Sequence, residues 1–148
     1  MDEADFGPYL DRLIRSYSVD NIRAGRWSEK EALVESRKEI LRSLPAGRET
    51  ANQFFFTIAA GPTEEKVGAI WLGLEPRGGF VVDLIIFELF RRRGYAHEAM
   101  LLLEQFAREK GAGKLSLQVF GENQGARKLY AKLGYTETNV FMSKMLAP

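Results

Sequence analysis

The sequence predicts a mixed α+β domain with a mostly antiparallel sheet that contains one parallel strand pair. Three observations predict it. The chain opens with two amphipathic helical stretches, and three strand-like runs follow with connections short enough for an antiparallel meander. A strand, glycine turn, helix, strand run from Phe80 to Phe120 then implies a right-handed crossover between parallel neighbours. A chain of 148 residues suits a single domain over residues 1–148.

Each element has its own signal. Tyr9, Leu10, Leu13, Ile14 and Tyr17 recur at helical spacing, as do Ala32, Leu33, Ser36, Ile40 and Leu44. Ser28 followed by Glu31 is a capping-box pattern that starts the second helix at Ser28 and leaves Ala24 to Trp27 as the junction. Pro45 and Gly47 end that helix. The strand-like runs are Phe54 to Ala59, Val67 to Leu74 and Phe80 to Phe90, separated by Gly61-Pro62 and Arg77-Gly78-Gly79. After Gly94, Ala96, Ala99, Met100, Leu103, Phe106 and Ala107 form a helical stripe that stops at Gly111 to Gly113. Leu115 to Phe120 reads as a strand, Ala126, Leu129, Tyr130 and Leu133 as a short helix, and Asn139 to Met145 as a last strand. Trp71 and the Phe54-Phe55-Phe56 run read as sheet and core residues.

Composition narrows the function. With 45% hydrophobic and 28% charged residues the chain can bury a core, unlike a disordered tail. Lys plus Arg 21 against Asp plus Glu 20 gives a net charge of +1, so no nucleic-acid or membrane partner is expected. The absence of Cys and the single His exclude disulfides, thiol catalysis and the common Cys/His zinc spacings, so no metal is expected. The acidic amino terminus does not read as a secretory signal, and no apolar run approaches the roughly 20 residues that cross a bilayer. A soluble cytoplasmic protein is the expectation. Neither a repeat nor a low-complexity tract is present.

The most informative segment is Phe80 to Ala96. An apolar strand ends in Arg91-Arg92-Arg93-Gly94-Tyr95-Ala96 and runs directly into a helix. Unpaired amides, the positive end of the helix dipole and adjacent guanidinium groups make an anion site suited to phosphate or pyrophosphate. Gly94 lets the backbone come close to such a ligand. The turn is not a Walker motif and lacks the full dinucleotide glycine pattern, which disfavours nucleoside triphosphates and NAD. A solvated basic turn before a helix stays open as the alternative. The second feature is Asn123, Ala126, Leu129, Tyr130, Gly134 and Tyr135. Taken alone, Asn123 is a helix cap and Tyr130 a core residue.

The two features together resemble the GNAT superfamily of N-acetyltransferases. That family's turn of Arg or Gln, two residues, Gly, one residue, Gly or Ala is matched by Arg91, Gly94 and Ala96. Its second signature is matched by Asn123, Ala126, Leu129-Tyr130 and Gly134-Tyr135, in the expected order. The resemblance covers roughly the whole chain, through a closing strand at Met142 to Leu146, and is sharp from Asp83 to Tyr135. It implies a three-layer domain with helices on both faces of the sheet and a parallel pair splayed around the cofactor. It also implies an acetyl-CoA-dependent N-acetyltransferase acting on a primary amine, carried by a small molecule or a peptide.

By the same resemblance, the amides of Arg91, Arg92, Arg93, Gly94, Tyr95 and Ala96 bind the pyrophosphate. Backbone groups near Ile85 and Ile86 pair with the pantetheine arm, Asn123 holds that arm, and Tyr130 protonates the departing thiolate. A phenol is a weak acid suited to that donation. Direct attack by the amine needs no covalent enzyme intermediate, so positioning and oxyanion stabilisation carry the rate. The general base departs from the family's habit, because Ile85 and Gln118 stand where an acid is common. Asp83 is the candidate within the strand, on the face of Ile85 unless a bulge intervenes. A strand-end Asp paired to an Arg is its structural alternative. Glu88 and Glu122 are runners-up, and each could act through water.

His97 follows the anion turn and reads as an exposed helix residue. Trp27 sits where the family often borders its acceptor site, with core packing the alternative. The competing function is a non-catalytic coenzyme A-binding or sensing module. Protein amino termini, lysines, polyamines, amino acids and antibiotics all remain open as acceptors. A homodimer is admissible.

Overall fold

The first helix begins earlier than its apolar stripe. In the computed structural model, which describes residues 1–147, α1 spans Glu3–Arg23 because the Asp2 carboxylate caps it, accepting from the Asp5 amide at 2.8 Å. α2 spans Ala32–Arg42 and begins later than the capping pattern predicts. Glu31 does reach back to accept from the Ser28 amide at 3.2 Å, but the Ser28 hydroxyl donates to that same carboxylate instead of capping the helix. Residues 29–31 form a turn, and the junction lengthens accordingly.

The sheet follows as β1 Gln53–Ala60, β2 Glu65–Glu75, β3 Gly78–Ile86 and β4 Leu115–Leu117, in that spatial order. β1, β2 and β3 form the antiparallel meander, and β4 joins β3 in parallel after α3, Tyr95–Glu109, has crossed over. α4, Gln124–Lys132, completes the regular elements. No helix among the described residues is long and apolar enough to cross a membrane.

Helices cover both faces. Against one face, α1 and α2 bury Phe6, Tyr9, Leu13, Ile14 and Ile40 on Phe55, Ala69 and Trp71. On the other, Met100, Leu103 and Ala107 of α3 pack on Ile70, Leu72 and Val81, with Tyr130, Leu133 and Tyr135 half-buried beside them. The aromatic run of β1 therefore divides by strand alternation: Phe55 faces α1, whereas Phe54 and Phe56 meet the Phe106 ring edge-on at 5.1 Å.

Three strand expectations need correction. The run Phe80 to Phe90 is strand only as far as Ile86, and Glu88–Phe90 is a short 3-10 turn in which the Phe90 amide bonds the Phe87 carbonyl at 2.9 Å. A continuous apolar run does not by itself mark where a ladder stops. Leu115 to Phe120 is strand only to Leu117, because pairing with β3 ends at Val81↔Leu117. Asn139 to Met145, and with it the closing strand at Met142 to Leu146, has no regular structure and no strand partner among the described residues.

Two local features shape β3. Trp71 pairs with Asp83 and Leu72 with Val81, so Val82 is the extra residue of a β-bulge. The bulge precedes Asp83, so Asp83 and Ile85 keep the same face, toward α1. Gly68 of β2 lies against the Ile85 carbonyl oxygen, where an added Cβ would collide with main chain. We expect Gly68→Ala to cost about 1–3 kcal/mol, as overpacking does. A urea midpoint equal to that of the parent chain would show that β3 yields there freely.

Candidate active site

The parallel pair is hydrogen-bonded only over Gly79↔Leu115, Phe80↔Ser116 and Val81↔Leu117. Beyond Val81 the strands part, while β3 remains paired to β2 through Ile85↔Ala69 and Ile86↔Gly68. The edge of β3 facing β4 is therefore unladdered from Asp83 to Ile86. Such an edge offers main-chain donors and acceptors to an extended ligand.

The chain leaves this edge through the 3-10 turn and enters α3 by way of the arginine run. Arg92 has φ 65° and Gly94 φ 86°, two left-handed residues in a short turn. The amides of Arg92, Arg93, Gly94, Tyr95, Ala96 and His97 find no acceptor among the described residues, and the first helical bond is Glu98 N–H to the Gly94 carbonyl at 3.1 Å. Successive free amides in such a turn form an anion-binding concavity at the positive end of a helix. Arg92 is a non-glycine residue in a sparsely populated conformation, of the kind that clusters at ligand clamps. Arg91 Nε donates to the Ile86 carbonyl at 3.0 Å, which ties the turn back to the strand end. The Arg93 guanidinium lies 5.8 Å from the Phe90 ring centroid.

Asn123 caps α4 as its position implies, its side chain accepting from the Ala126 amide at 3.2 Å. It also lines a cleft of about 330 Å³ with Asp20, Arg23, Phe120 and Glu122. Burial raises the pKa of Asp20; Arg23 opposes this and the charge of Glu122 adds to it. Glu88 is exposed in the 3-10 turn.

Tyr130 packs edge-on against Tyr135, with centroids 5.8 Å apart. Burial, with a lesser contribution from the charge of Asp83, pushes its hydroxyl up to about 12. Asp83 is half-buried and accepts from the Tyr9 hydroxyl at 3.0 Å. Burial raises its carboxyl above the ordinary range, against the Tyr9 hydrogen bond, the nearby Arg12 charge and the Leu84 amide. Its partner is a phenol and not an arginine, for no ion pair to Asp83 occurs among the described residues.

Two members of this surrounding escaped the sequence reading. Tyr9 belongs to the apolar stripe of α1, and its hydroxyl finds Asp83 only through the fold. Arg12 lies over the Tyr9 and Phe87 rings, 5.5 Å and 5.1 Å from their centroids, with a buried Nη1 that has no partner among the described residues. His97 occupies the first turn of α3 and is half-buried there, not exposed as its position suggested, and Trp27 meets the Tyr17 ring edge-on at 5.6 Å beneath the Arg26 guanidinium.

Residues 16–135 match the Acetyltransferase (GNAT) family. The chain is 36% identical over 150 residues to the uncharacterized N-acetyltransferase YycN of Bacillus subtilis (strain 168), a match covering 99% of this chain and 96% of that protein. It is 35% identical to the uncharacterized N-acetyltransferase YdgE of the same organism, covering 99% and 95%. The crystal structure of YycN superposes with a TM-score of 0.95, covering 100% of this chain and 96% of that one at 36% identity. PaiA N-acetyltransferase from Thermoplasma acidophilum, crystallised in complex with coenzyme A, shares the fold at TM-score 0.68 and 17% identity, covering 95% and 89%.

Proposed function

The chain belongs to the GNAT family of acetyltransferases, which take their acetyl group from acetyl-CoA, and we propose that it passes this group to a primary amine by direct attack. The observation that carries the proposal is the continuity of two features: the unladdered edge of β3 ends directly at the free amides from Arg92 to His97. An extended arm ending in a pyrophosphate needs donors and acceptors along one edge and an anion cradle at its end. The residues present fit that group. Among its contacts we include Ile85 and Ile86 along the edge, Arg91 to Ala96 at the turn, and Asn123 opposite.

When bound, acetyl-CoA supplies a thioester carbonyl open to a nitrogen nucleophile. The rest falls to the chain's own residues. Asp83 accepts the proton that the amine sheds, directly or through water, and Tyr9 holds the carboxylate in place. Tyr130 stays protonated, because its hydroxyl is pushed up to about 12, and donates to the departing sulfur. Full transfer from such a phenol to a thiolate with an ordinary pKa of about 8.5 is uphill by roughly 5 kcal/mol. Hydrogen-bond donation therefore does most of the work, and the proton the thiol finally keeps is made up by the one the amine lost. Asp20 and Glu122 give the cleft beside Asn123 a negative side that suits an acceptor arriving as an ammonium ion.

Calorimetric titration with acetyl-CoA, followed by thiol release in the presence of primary amines, tests the proposal. We expect binding and amine-dependent release; binding without release from any amine would leave a cofactor-binding module. The pH profile identifies the base. Asp83 works only when ionised, and burial raises its pKa, so kcat/KM should rise with pH through a midpoint above the usual carboxylate value of about 3.9. The same shift makes the native state hold this proton to higher pH than the unfolded chain, so the stability Asp83 contributes declines across that interval. Asp83→Asn should remove the acidic limb and lower kcat by about a hundred-fold. An unchanged limb in that variant would move the role to Glu122, Glu88 or another group.

A further inference from the structure

One cation beside Asp83 is unpaired. Arg12, Arg48 and Arg127 are the half-buried arginines among the described residues. Arg48 pairs with Glu3 at 2.9 Å and with Glu49 at 2.7 Å, and Arg127 pairs with Glu137 at 2.6 Å. Arg12 enters no ion pair among the described residues, and its buried Nη1 has no hydrogen-bond partner there. The Tyr9 and Phe87 rings attract its charge from 5.5 Å and 5.1 Å, yet a ring face does little for N–H groups arranged to grip oxygens. A guanidinium partly withdrawn from water and left without an acceptor is unfavourable, so an oxygen brought by a ligand is what this group lacks.

Its position gives that oxygen a chemical identity. Tyr9, one turn before Arg12 on α1, donates to Asp83 at 3.0 Å, and Phe87 directly follows the last residue of β3. The guanidinium thus stands over the ring of the residue that holds the proposed base, at the end of the unladdered edge. Arg12 does not pair with Asp83, so a negative and a positive group stay near each other and separately available. A simple alkylammonium drawn to Asp83 is repelled by the unpaired guanidinium. A molecule with a carboxylate next to its ammonium meets both groups with the right sign, and the guanidinium fork fits a carboxylate in shape. Arg12 and Asp20 share one side of α1, about 12 Å apart along the axis, and Asp20 lines the cleft with Glu122. The acidic cleft draws the ammonium, and Arg12, farther along the same strip, receives the carboxylate.

We propose that the acceptor is an α-amino acid, its carboxylate held by Arg12 while its amine is presented to Asp83. This rests on the transferase reading and narrows it. The carboxylate is a spectator to the bond changes: the amine nitrogen bonds the acetyl carbon, the carbon–sulfur bond breaks, and Asp83 receives the proton the amine sheds. Arg12 acts on which amine is held and not on how it reacts, so its effect falls on KM.

Thiol release from acetyl-CoA with each standard L-α-amino acid, with its amide, and with the amine that remains when the carboxylate is removed tests this. We expect at least one acid to exceed both of its partners in kcat/KM by about a hundred-fold, mainly through KM, as charge-assisted hydrogen bonds to a carboxylate imply. Arg12→Met keeps an apolar stem against the two rings and removes the fork, so it should cut that preference by about ten-fold or more, with Arg12→Lys in between. Far-UV spectra of both variants should match the parent chain, since Arg12 gives up no ion pair. Equal use of acid, amide and amine by the parent chain would overturn the proposal. So would an equal fall for all three in Arg12→Met, which is what packing alone, or an effect on Asp83 alone, produces. Calorimetric titration of the same acids into the protein, with and without coenzyme A, reads binding without turnover. Acid binding that Arg12→Met loses, with no thiol release from any amine, supports the carboxylate anchor and sinks the transferase reading. Release from carboxylate-free amines with no acid bound does the reverse, and the absence of acid binding in every case overturns the anchor.

Discussion

Tyr130→Phe is expected to lower kcat by about a hundred-fold, the lower end of what one positioned proton donor supplies. The ring stays, so its packing against Tyr135 and the α3 face of the sheet stays with it. The lost hydroxyl has no protein hydrogen-bond partner among the described residues, so its removal leaves no orphaned group behind. KM for acetyl-CoA and the melting temperature should therefore hold while turnover falls. That split separates donation to the departing sulfur from a packing role. Steady-state thiol release alongside a thermal melt reads both; full activity in the variant would make Tyr130 a core residue and nothing more.

Gly94→Trp should weaken acetyl-CoA binding by at least a hundred-fold. Two effects act together. Gly94 sits at φ 86°, where any other residue costs about 1–2 kcal/mol, so the turn is pushed to relax. A Cβ built there meets nothing within 4 Å, so the indole has room to stand over the amides that follow. Because the core packing is untouched, the melting temperature should drop by only a few degrees, about what 1–2 kcal/mol does in a domain of this size. Calorimetric titration of parent and variant reads the affinity, and equal affinities would show that the turn at Arg91 to Ala96 does not carry the pyrophosphate.

What the sequence disclosed follows from the range of the interactions involved. The meander was legible because Gly61-Pro62 and Arg77-Gly78-Gly79 are local signals, and so were the glycine turn into α3 and the Asn123 cap. Contacts across the fold were not. Asp83 stood out as a carboxylate in an apolar strand, yet its actual partner, Tyr9, lies on α1, 74 residues away in sequence, and reads there as one more aromatic on a stripe. The end of β3 at Ile86 was hidden because Phe87 and Phe90 extend the apolar pattern into a 3-10 turn. The capping pair at Ser28 and Glu31 forms one of its two bonds without starting the helix, since the hydroxyl turned toward the carboxylate. Residues 139–145 carry a strand's composition without a strand, for a ladder also requires pairing with a neighbouring edge, and they pair with none among the described residues.

The cradle proposed between Arg92 and His97 is assembled from peptide nitrogens, and this has a consequence for how the site would respond to genetic change. A side chain can be deleted by one codon, but an amide is retained by every residue except proline. An alanine scan through this turn would trim guanidinium groups and find a graded response, with the main donors still in place. On the proposed reading, sequence drift at Arg93, Tyr95 and His97 is correspondingly cheap for anion recognition. The sensitive positions are those that set backbone shape: Arg92 and Gly94, by their left-handed torsions, and Arg91, by the bond from its side chain to the Ile86 carbonyl. A variant library read through this segment would thus show tolerance at most codons and intolerance at the few that hold the curve of the chain.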